Sequence, residues 1–266
     1  MYDFHLHSDY SMDSKSPMEK MVYSAIEKNL KSICFTDHID LEATSQKIDF
    51  QFRIEDYFRE IKKVKYKYIN NIEILSGVEI GMQPHLKVKY DNIIENNPFD
   101  FVIMSIHGVN GKSIAIDRLF EKTSPKEVLD LYYNEMYKCV KIFDNFDVLG
   151  HLDYVDRYIS NPDNLPDYKM YYDIITEILK IVIEKGKGVE LNTAGLRHGL
   201  SYPNPKPSIL KLYKDLGGEI ITIGSDAHSP EYLGYNYKLG EKLLKELGFK
   251  HIYLFKNRKK FPINID

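Results

Sequence analysis

The chain has 266 residues, 43% of them hydrophobic, which is enough for one large core, so we expect a single domain over residues 1–266. The formal net charge is −3 and no block of basic residues stands out, which argues against a nucleic-acid or membrane-surface partner held by bulk electrostatics. The two cysteines, Cys34 and Cys139, indicate buried thiols rather than a disulfide framework, and the absence of a long apolar run or a signal peptide predicts the cytoplasm.

Short apolar runs alternate along the chain with longer amphipathic segments. The runs predict seven strands, at 2–6, 32–36, 73–79, 100–106, 146–151, 188–192 and 219–225. The segments predict helices at 17–29, 54–68, 125–144, 168–185, 206–216 and 238–247. This alternation is typical of parallel βαβ units and predicts a TIM-like (β/α) barrel. A last run, 251–255, is a candidate eighth strand, although no ligand-type residue follows it.

Two helix starts are marked by the same motif. Ser16-Pro17-Met18-Glu19 and Ser124-Pro125-Lys126-Glu127 each place a serine at the N-cap, proline at the first helical position and a glutamate suited to a capping box.

Long irregular segments follow five of the predicted strands. Because the C-terminal ends of barrel strands lie on one face, we expect these segments to form the rim of a single substrate pocket.

The first predicted strand carries His5-Leu6-His7. Side chains alternate along a strand, so both imidazoles lie on the same face. A single His-x-His is more often an exposed or core pair than a metal site. Asp13 follows in a loop short enough to fold back over the strand end, although a solvated turn is the ordinary place for such an aspartate.

The next two strands also end in polar residues. Thr36-Asp37-His38 closes an apolar run, and a carboxylate beside an imidazole suits a metal ligand with its orienting partner, or else a helix cap by Asp37. Glu79 stands in an apolar strand, where an unpaired charge is costly. A bridging metal ligand would remove that cost, and we favour it over a buried salt bridge.

The same pattern recurs at the later strands, which end in His107, in His151 and in the alternating pair Asp226 and His228. Core histidines have no reason to collect at one end of every strand, so the recurrence is stronger evidence than any single motif. One metal ion takes three or four protein ligands. The candidates therefore predict a multinuclear hydrolytic site formed by His5, His7, Asp13, His38, Glu79, His107, His151, Asp226 and His228.

These motifs resemble those of the polymerase-and-histidinol-phosphatase (PHP) family of metallophosphoesterases. The likeness covers essentially the whole chain and keeps the family order of His5-x-His7, Thr36-Asp37-His38, Glu79, Ser105-x-His107-Gly108, Gly150-His151 and Ser225-Asp226-Ala227-His228. The resemblance implies a distorted (β/α)7 barrel with its metal site at the C-terminal ends of the strands.

The resemblance also implies a trinuclear centre of divalent ions. The first ion would be bound by His5, His7, Glu79 and Asp226, the second by Glu79, His107 and His151, and the third by Asp13, His38 and His228. Glu79 would bridge the first two ions. Some family members have histidine where this chain has Asp13. Imidazole and carboxylate donors suit Zn, Mn or Fe.

Within the family, the stretches 151–154 and 190–192 are most similar to the histidinol-phosphatase branch. This implies a hydrolase that converts L-histidinol phosphate to L-histidinol and phosphate in histidine biosynthesis. A hydroxide bridging two metal ions would attack phosphorus. Glu79 would then be catalytic as the bridging ligand, and Asp153 or a metal-bound water would protonate the leaving alcohol.

The residues expected to bind the substrate lie in the loops after the fifth and sixth strands. Arg157 and Arg197 are suited to clamp a phosphate bidentately, although Arg157 is equally well explained as a solvated loop residue. Acidic and aromatic groups would receive the ammonium and imidazole of histidinol, and the candidates are Asp153, Tyr154, Glu190 and Asn192. His198 is a further pocket candidate.

Three other functions use similar motifs. A PHP phosphoesterase could act on nucleotides, DNA ends or phosphotyrosine, but an exonuclease should carry a basic track with stacking aromatic residues. A non-catalytic, metal-stabilised scaffold is disfavoured by the complete ligand set. Amidohydrolase chemistry on a similar barrel typically uses a bridging lysine, which the sequence does not place.

Overall fold

The computed structural model describes residues 1–121, 123–159 and 165–265, and seven parallel strands form a nearly closed barrel in it. With strands numbered in chain order, the barrel runs β1 (Tyr2–Leu6), β2 (Ser32–Phe35), β4 (Glu73–Gly81), β5 (Phe101–Ser105), β8 (Val148–Leu149), β9 (Gly188–Asn192) and β10 (Ile221–Gly224). The chain just after β10 returns to β1, because the amide of His7 donates to the carbonyl of Ala227. The predicted distorted (β/α)7 barrel is confirmed.

Each of the seven predicted runs contains one barrel strand, and the fifth is the least regular. The run 146–151 keeps only the two paired residues of β8. The carboxylate of Asp147, instead of a backbone carbonyl, accepts the amide of Val102 at 2.8 Å, which interrupts the ladder. Three short strands lie outside the predicted runs: β3 (His38–Ile39), which pairs with β4, and the antiparallel pair β6 (Gly108–Val109) and β7 (Lys112–Ser113).

The helices are α1 (Met18–Glu27), α2 (Ile54–Lys67), α3 (Lys87–Glu95), α4 (Pro125–Ile142), α5 (Tyr172–Glu184), α6 (Ala194–Arg197), α7 (Pro207–Asp215) and α8 (Tyr237–Glu246). The sequence predicts six of them. It misses the four-residue α6 and also α3, which buries only Tyr90 and Ile94 and so leaves a short apolar stripe. It also places the start of α5 too early, because 168–171 form a 3₁₀ turn.

The two predicted helix caps have different outcomes. At α4 the capping box is confirmed: the Ser124 hydroxyl accepts from the amide of Glu127, whose carboxylate accepts the amide of Ser124. At α1, no side chain in the described part of the chain caps the helix, so this prediction was wrong. The Ser16 hydroxyl donates to the carbonyl of His228, and Glu19 binds Lys67 and Tyr68.

The last apolar run forms a hairpin under the barrel. Within the described residues, β11 (His251–Lys256) pairs only with β12 (Lys259–Asn264), antiparallel, and is not an eighth barrel strand. Phe255 packs against Phe101 of the barrel interior, with ring centroids 5.1 Å apart. We call this N-terminal end of the barrel the floor, and the opposite end, where the strands finish, the mouth.

Charged residues fasten the hairpin to the floor. The amide of Asn257 donates to Asp100 Oδ1 at 3.0 Å. Arg258 donates through its backbone amide to the Asp100 carbonyl and through Nε to Asp147 Oδ2 at 2.6 Å. The floor is therefore closed by an apolar plug with a polar rim.

Both cysteines are buried free thiols, as predicted. None of the helices in the described part of the chain combines the length and the apolar character needed to span a bilayer.

Candidate metal centre

The nine predicted ligand residues meet at the mouth. β1 positions the imidazoles of His5 and His7, both fully buried. Asp226 follows β10 with a φ of 54°, a left-handed conformation that a non-glycine residue rarely adopts. Its amide donates to the carbonyl of His5 at 2.7 Å. This tight return sets the Asp226 carboxylate beside the two imidazoles, with Oδ1 3.4 Å from His7 Nε2 and 3.8 Å from His5 Nε2.

Glu79 of β4 stands at the centre of the cluster. Its Oε2 atom lies 2.9 Å from His5 Nε2 and 3.6 Å from His7 Nε2. Its Oε1 atom lies 3.1 Å from His107 Nε2 and 2.8 Å from His151 Nε2. The Oε2 atom also lies 3.2 Å from His38 Nδ1, so each oxygen faces a different set of imidazoles, which is the arrangement that a carboxylate bridging two metal ions requires.

A third group of ligand atoms lies beside the first. Asp13 Oδ2 is 3.2 Å from His228 Nε2 and 3.7 Å from His38 Nε2. The ring of His7 stacks on that of His38 and on that of His228, with centroids 4.3 Å and 4.1 Å away. The third group is the more open one, because the Asp13 side chain is 48% exposed whereas that of Glu79 is 1% exposed.

The electrostatics of the cluster favour cations. Burial opposes the charged form of Glu79, yet the imidazoles of His5, His38 and His107 hold the pKa of this carboxyl well below its usual range. Burial likewise opposes the charged form of Asp226, and His5, His7 and Arg157 lower its pKa well below the usual range. Both carboxylates are therefore buried anions, and buried anions require cationic or hydrogen-bonding partners.

The donor set fits metal ions. Burial lowers the pKa of His7 well below its usual range, so the ring is neutral, as a metal ligand must be. Its buried Nε2 atom has no hydrogen-bond partner among the described residues. Four triplets of ligand atoms in the described part lie within 4.8 Å of one another: His7-His38-His228, His5-His151-Asp226, His5-His7-Glu79 and His38-Glu79-His107. The clusters are able to hold several ions.

Three further side chains orient the ligands, and sequence reasoning assigned this role to none of them. Glu190 Oε1 lies 2.6 Å from His5 Nδ1, and Asp40 Oδ2 lies 2.8 Å from His107 Nδ1. Ser11 Oγ lies 3.0 Å from His7 Nδ1. Such contacts fix the ring orientation of a metal-binding histidine. Asp40 was detectable from its spacing, because His38-x-Asp40 places both side chains on one face of a strand.

Asp37 was predicted to orient His38, or to cap a helix. Instead its carboxylate accepts from the hydroxyls of Ser8 and Ser11 at 2.9 Å and 2.7 Å. Asp37 therefore helps to orient the ring of His7 rather than that of His38, because it holds the Ser11 hydroxyl that contacts His7 Nδ1. The loop after β1 folds across the end of β2 and so brings Ser11 to Asp37.

The cluster opens into a cavity of about 490 Å³. Arg157, Arg197 and Tyr154 line it, as the sequence predicts, and so does His198. The side chains that line it without having been predicted include Met12, Asp40, Phe50, Ile116, Tyr158 and Tyr232. The cavity lining thus combines candidate metal ligands, two guanidinium groups and apolar or aromatic side chains.

The two arginines are fixed by hydrogen bonds. Arg157 donates through Nη1 to Asp226 Oδ2 at 3.0 Å, and its side chain is only 6% exposed, so it is no solvated loop residue. Arg197 donates through Nη2 to the carbonyl of Asp226 at 2.9 Å and lies over the ring of Tyr232, 4.5 Å from the centroid. Both guanidinium groups therefore border the metal ligands.

Three predicted substrate or catalytic residues lie outside the cavity lining. Glu190 and Asn192 are fully buried in β9: Glu190 holds His5, and the Asn192 amide oxygen accepts from Arg157. Asp153 is also fully buried, and its carboxylate accepts from the Asn204 side chain and from the Lys206 amide. These contacts do not favour the predicted roles, because none of the three carboxylate or amide groups faces the substrate space.

Comparison with known proteins is consistent with this geometry. Residues 3–194 match the PHP domain family. A probable histidinol-phosphatase from Clostridium acetobutylicum is 35% identical and covers 98% of this chain and 99% of its own length. The histidinol-phosphatase of Lactococcus lactis is 31% identical and covers 97% of this chain and 95% of its own length.

A solved structure agrees over the same extent. The crystal structure of histidinol phosphate phosphatase from Lactococcus lactis, complexed with zinc, L-histidinol and phosphate, matches with a TM-score of 0.89 at 30% sequence identity. The match covers 98% of each chain.

Proposed function

Because this chain belongs to the PHP domain family, we propose that it is a metal-dependent phosphatase that hydrolyses L-histidinol phosphate to L-histidinol and phosphate. The observation that carries the proposal is the division of Glu79 between two sets of imidazoles, beside two arginines on the wall of one cavity. The Clostridium and Lactococcus relatives, similar over nearly their whole lengths, support the choice of substrate.

Three divalent ions, zinc, manganese or iron, would be held by the nine residues in the sets that the family resemblance implies. When bound, the ions supply Lewis acidity, which lowers the pKa of a coordinated water and neutralises charge on phosphoryl oxygens. Glu79 contacts candidate ligands of the first ion through Oε2 and candidate ligands of the second ion through Oε1. The third group, with the half-exposed Asp13, lies on the more open side of the cluster.

The arginines would bind the phosphoryl group of the substrate. Guanidinium N–H groups match phosphate oxygens bidentately and keep their charge at any physiological pH. Both arginines border Asp226, so a phosphoryl group that they bind lies beside the metal ligands. Phosphate-monoester hydrolysis has a very high barrier in water, so this concentration of positive charge is what the reaction requires.

The organic part of the substrate would lie toward the cavity opening. The rings of Tyr154 and Tyr158 meet edge to face, 5.1 Å between centroids, and their hydroxyls share a hydrogen bond of 2.7 Å. Aromatic faces attract cations and pack well against an imidazole ring. Of the residues predicted to recognise histidinol, Tyr154 therefore keeps that role in the proposal, whereas Asp153, Glu190 and Asn192 do not.

The test is phosphate release from L-histidinol phosphate, AMP, phosphotyrosine and a short DNA, with the protein reloaded with manganese or zinc and with a chelated control. We expect strong, chelator-sensitive preference for L-histidinol phosphate. Preference for another substrate would retain the metal chemistry and reject this substrate. No turnover of any of them by fully loaded protein would favour a metal-stabilised scaffold.

A further inference from the structure

Arg157 is held from three sides inside the wall of the cavity. Its Nε, Nη1 and Nη2 atoms donate to Asn204 Oδ1 at 2.8 Å, Asp226 Oδ2 at 3.0 Å and Asn192 Oδ1 at 2.9 Å. A guanidinium group has five N–H donors. Among the described residues, these three bonds leave one N–H on each terminal nitrogen without an acceptor, and a bidentate contact with phosphate uses two N–H groups.

The two asparagines form one unit. The backbone of Asn192, the last residue of β9, pairs with that of Asn204 in both directions, at 2.7 Å and 2.8 Å. The loop that carries Asn204 is therefore fixed to the end of a barrel strand. Gly195 leaves the space for the Asn204 amide, because a Cβ at that position would lie 2.7 Å from Asn204 Oδ1. Asn204 itself is fully buried.

The other end of the Asn204 amide is fixed by a carboxylate. Asn204 Nδ2 donates to Asp153 Oδ1 at 2.6 Å, and Asp153 Oδ2 accepts the amide of Lys206 at 2.8 Å. Since Asp153 accepts only, Nδ2 must face it, and Oδ1 is thereby turned toward Arg157. Lys206 Nζ lies 3.9 Å from Asp153 and 2.7 Å from Asp156, and its single positive charge offsets part of the charge of these two buried carboxylates.

We propose that Asp153 and Asn204 are positioning residues for the phosphate-binding guanidinium of Arg157, through the chain Asp153–Asn204–Arg157. The inference rests on the proposed function, because it takes Arg157 to bind the phosphoryl group. It gives Asp153 a role that the sequence did not suggest: it fixes the side-chain amide that fixes the arginine, at a distance from the reacting atoms.

An exchange of the two side chains tests this chain of contacts. Asn204→Asp places two carboxylates side by side, with no N–H between them. In Asp153→Asn, the new NH₂ group either meets Nδ2 of Asn204, so that two donors face each other, or replaces the oxygen that accepts the amide of Lys206. Each single change should weaken binding of inorganic phosphate to the zinc-loaded protein about tenfold, as expected when one buried hydrogen bond is broken. In the double variant the donor and acceptor are exchanged, so affinity should return to within about twofold of wild type.

The readouts separate positioning from a structural role. The Kd of inorganic phosphate is measured by calorimetry, together with zinc content, Tm, and KM and kcat for L-histidinol phosphate. We expect KM to rise with little change in kcat, because a displaced arginine weakens ground-state and transition-state binding alike. Asp147→Asn is the matched control: it removes a buried carboxylate that pairs with Arg258 at the floor, and should lower Tm without changing the Kd.

A second variant keeps the test decisive if Asn204→Asp does not fold. Asn204→Ala removes both contacts, so it should weaken phosphate binding to the same extent and should not be rescued by Asp153→Asn. Variants that lower Tm but bind phosphate as wild type does would overturn the proposal. So would a double variant as weak as the singles, or a loss of zinc in step with the loss of affinity. If wild type fails to hydrolyse L-histidinol phosphate but the phosphate affinities follow the expected pattern, only the proposed substrate is rejected.

Discussion

The two ends of the barrel use the same seven strands for opposite purposes. At the floor, Phe4 and Phe101 meet the hairpin residue Phe255 in an apolar cluster, and charge is confined to the rim around Asp147 and Arg258. At the mouth, the buried side chains are imidazoles and carboxylates, with Glu79 at their centre. Only a few residues of one strand separate the apolar floor from the polar mouth: β5 begins with Phe101 at the floor, and His107 follows its other end.

The difference indicates that the floor contributes mainly to the stability of the fold and the mouth mainly to its chemistry. Apolar contacts at the floor stabilise the fold without any ligand. The mouth instead brings together buried carboxylates and imidazoles, an arrangement whose cost is offset when cations bind. We therefore expect changes at the mouth to alter metal content and turnover, and changes at the floor to alter stability alone. Four experiments test this contrast between the mouth and the floor.

The largest effect is expected from Glu79→Gln at the mouth. The amide cannot offer an anionic oxygen to each pair of imidazoles, so turnover should fall by about a thousandfold, the scale on which a central electrostatic group acts. The measurement is the rate of phosphate release at saturating zinc together with zinc content. Glu73→Gln, at the exposed start of the same strand, is the control and should keep wild-type activity. Wild-type turnover by Glu79→Gln would remove the bridging role.

At the floor, Phe255→Ala should destabilise the protein by about 3 kcal/mol, because it opens a cavity in the apolar plug. The measurement is chemical denaturation, and kcat/KM is measured under conditions in which the variant stays folded. We expect kcat/KM to remain as in wild type. A proportionate loss of activity in the folded variant would show that the two ends are coupled. Phe261→Ala, which truncates a half-exposed ring on the same hairpin, should have a much smaller effect on stability.

Asp40→Asn should weaken metal binding at the mouth about tenfold to a hundredfold, the usual cost of losing the carboxylate that orients a metal-binding histidine. The cause is the loss of the charged partner of His107 Nδ1. Zinc affinity is measured by competition with a chelator. Asp49→Asn, in the same loop but outside the cavity lining, is the control. Unchanged zinc affinity would show that His107 does not depend on Asp40.

Arg197→Ala should raise KM about tenfold with little effect on zinc content, since one charge-assisted hydrogen bond to phosphate contributes about 1.5 kcal/mol or more. The stack on Tyr232 is lost as well, so Tm is recorded in parallel. Steady-state kinetics with L-histidinol phosphate give the result. Kinetics identical to wild type would place Arg197 outside the substrate site and leave the phosphate to Arg157.

Errors in the sequence predictions have a common origin. Glu190 and Asn192 end a strand as the candidate ligands do, but tertiary contacts keep both side chains out of the cavity lining. The Glu190 carboxylate lies against His5 Nδ1, and the Asn192 amide oxygen accepts from Arg157. Asp153 follows His151 closely, yet the loop that it begins turns its side chain toward Asn204. Sequence position indicates a strand end but not depth or side-chain direction.

The residue pattern alone predicts the alternation of strands and helices, the barrel and the nine candidate ligand residues, because strand periodicity and the rule that parallel strands finish on one face are local or topological constraints. Only the folded chain shows which side chains orient those candidates, which line the cavity and where the last hairpin packs. Those outcomes depend on contacts between residues far apart in the chain, such as Glu190 with His5 and Arg258 with Asp147. Loop conformation and depth along the barrel axis fix such contacts, and neither leaves a periodic pattern in the sequence.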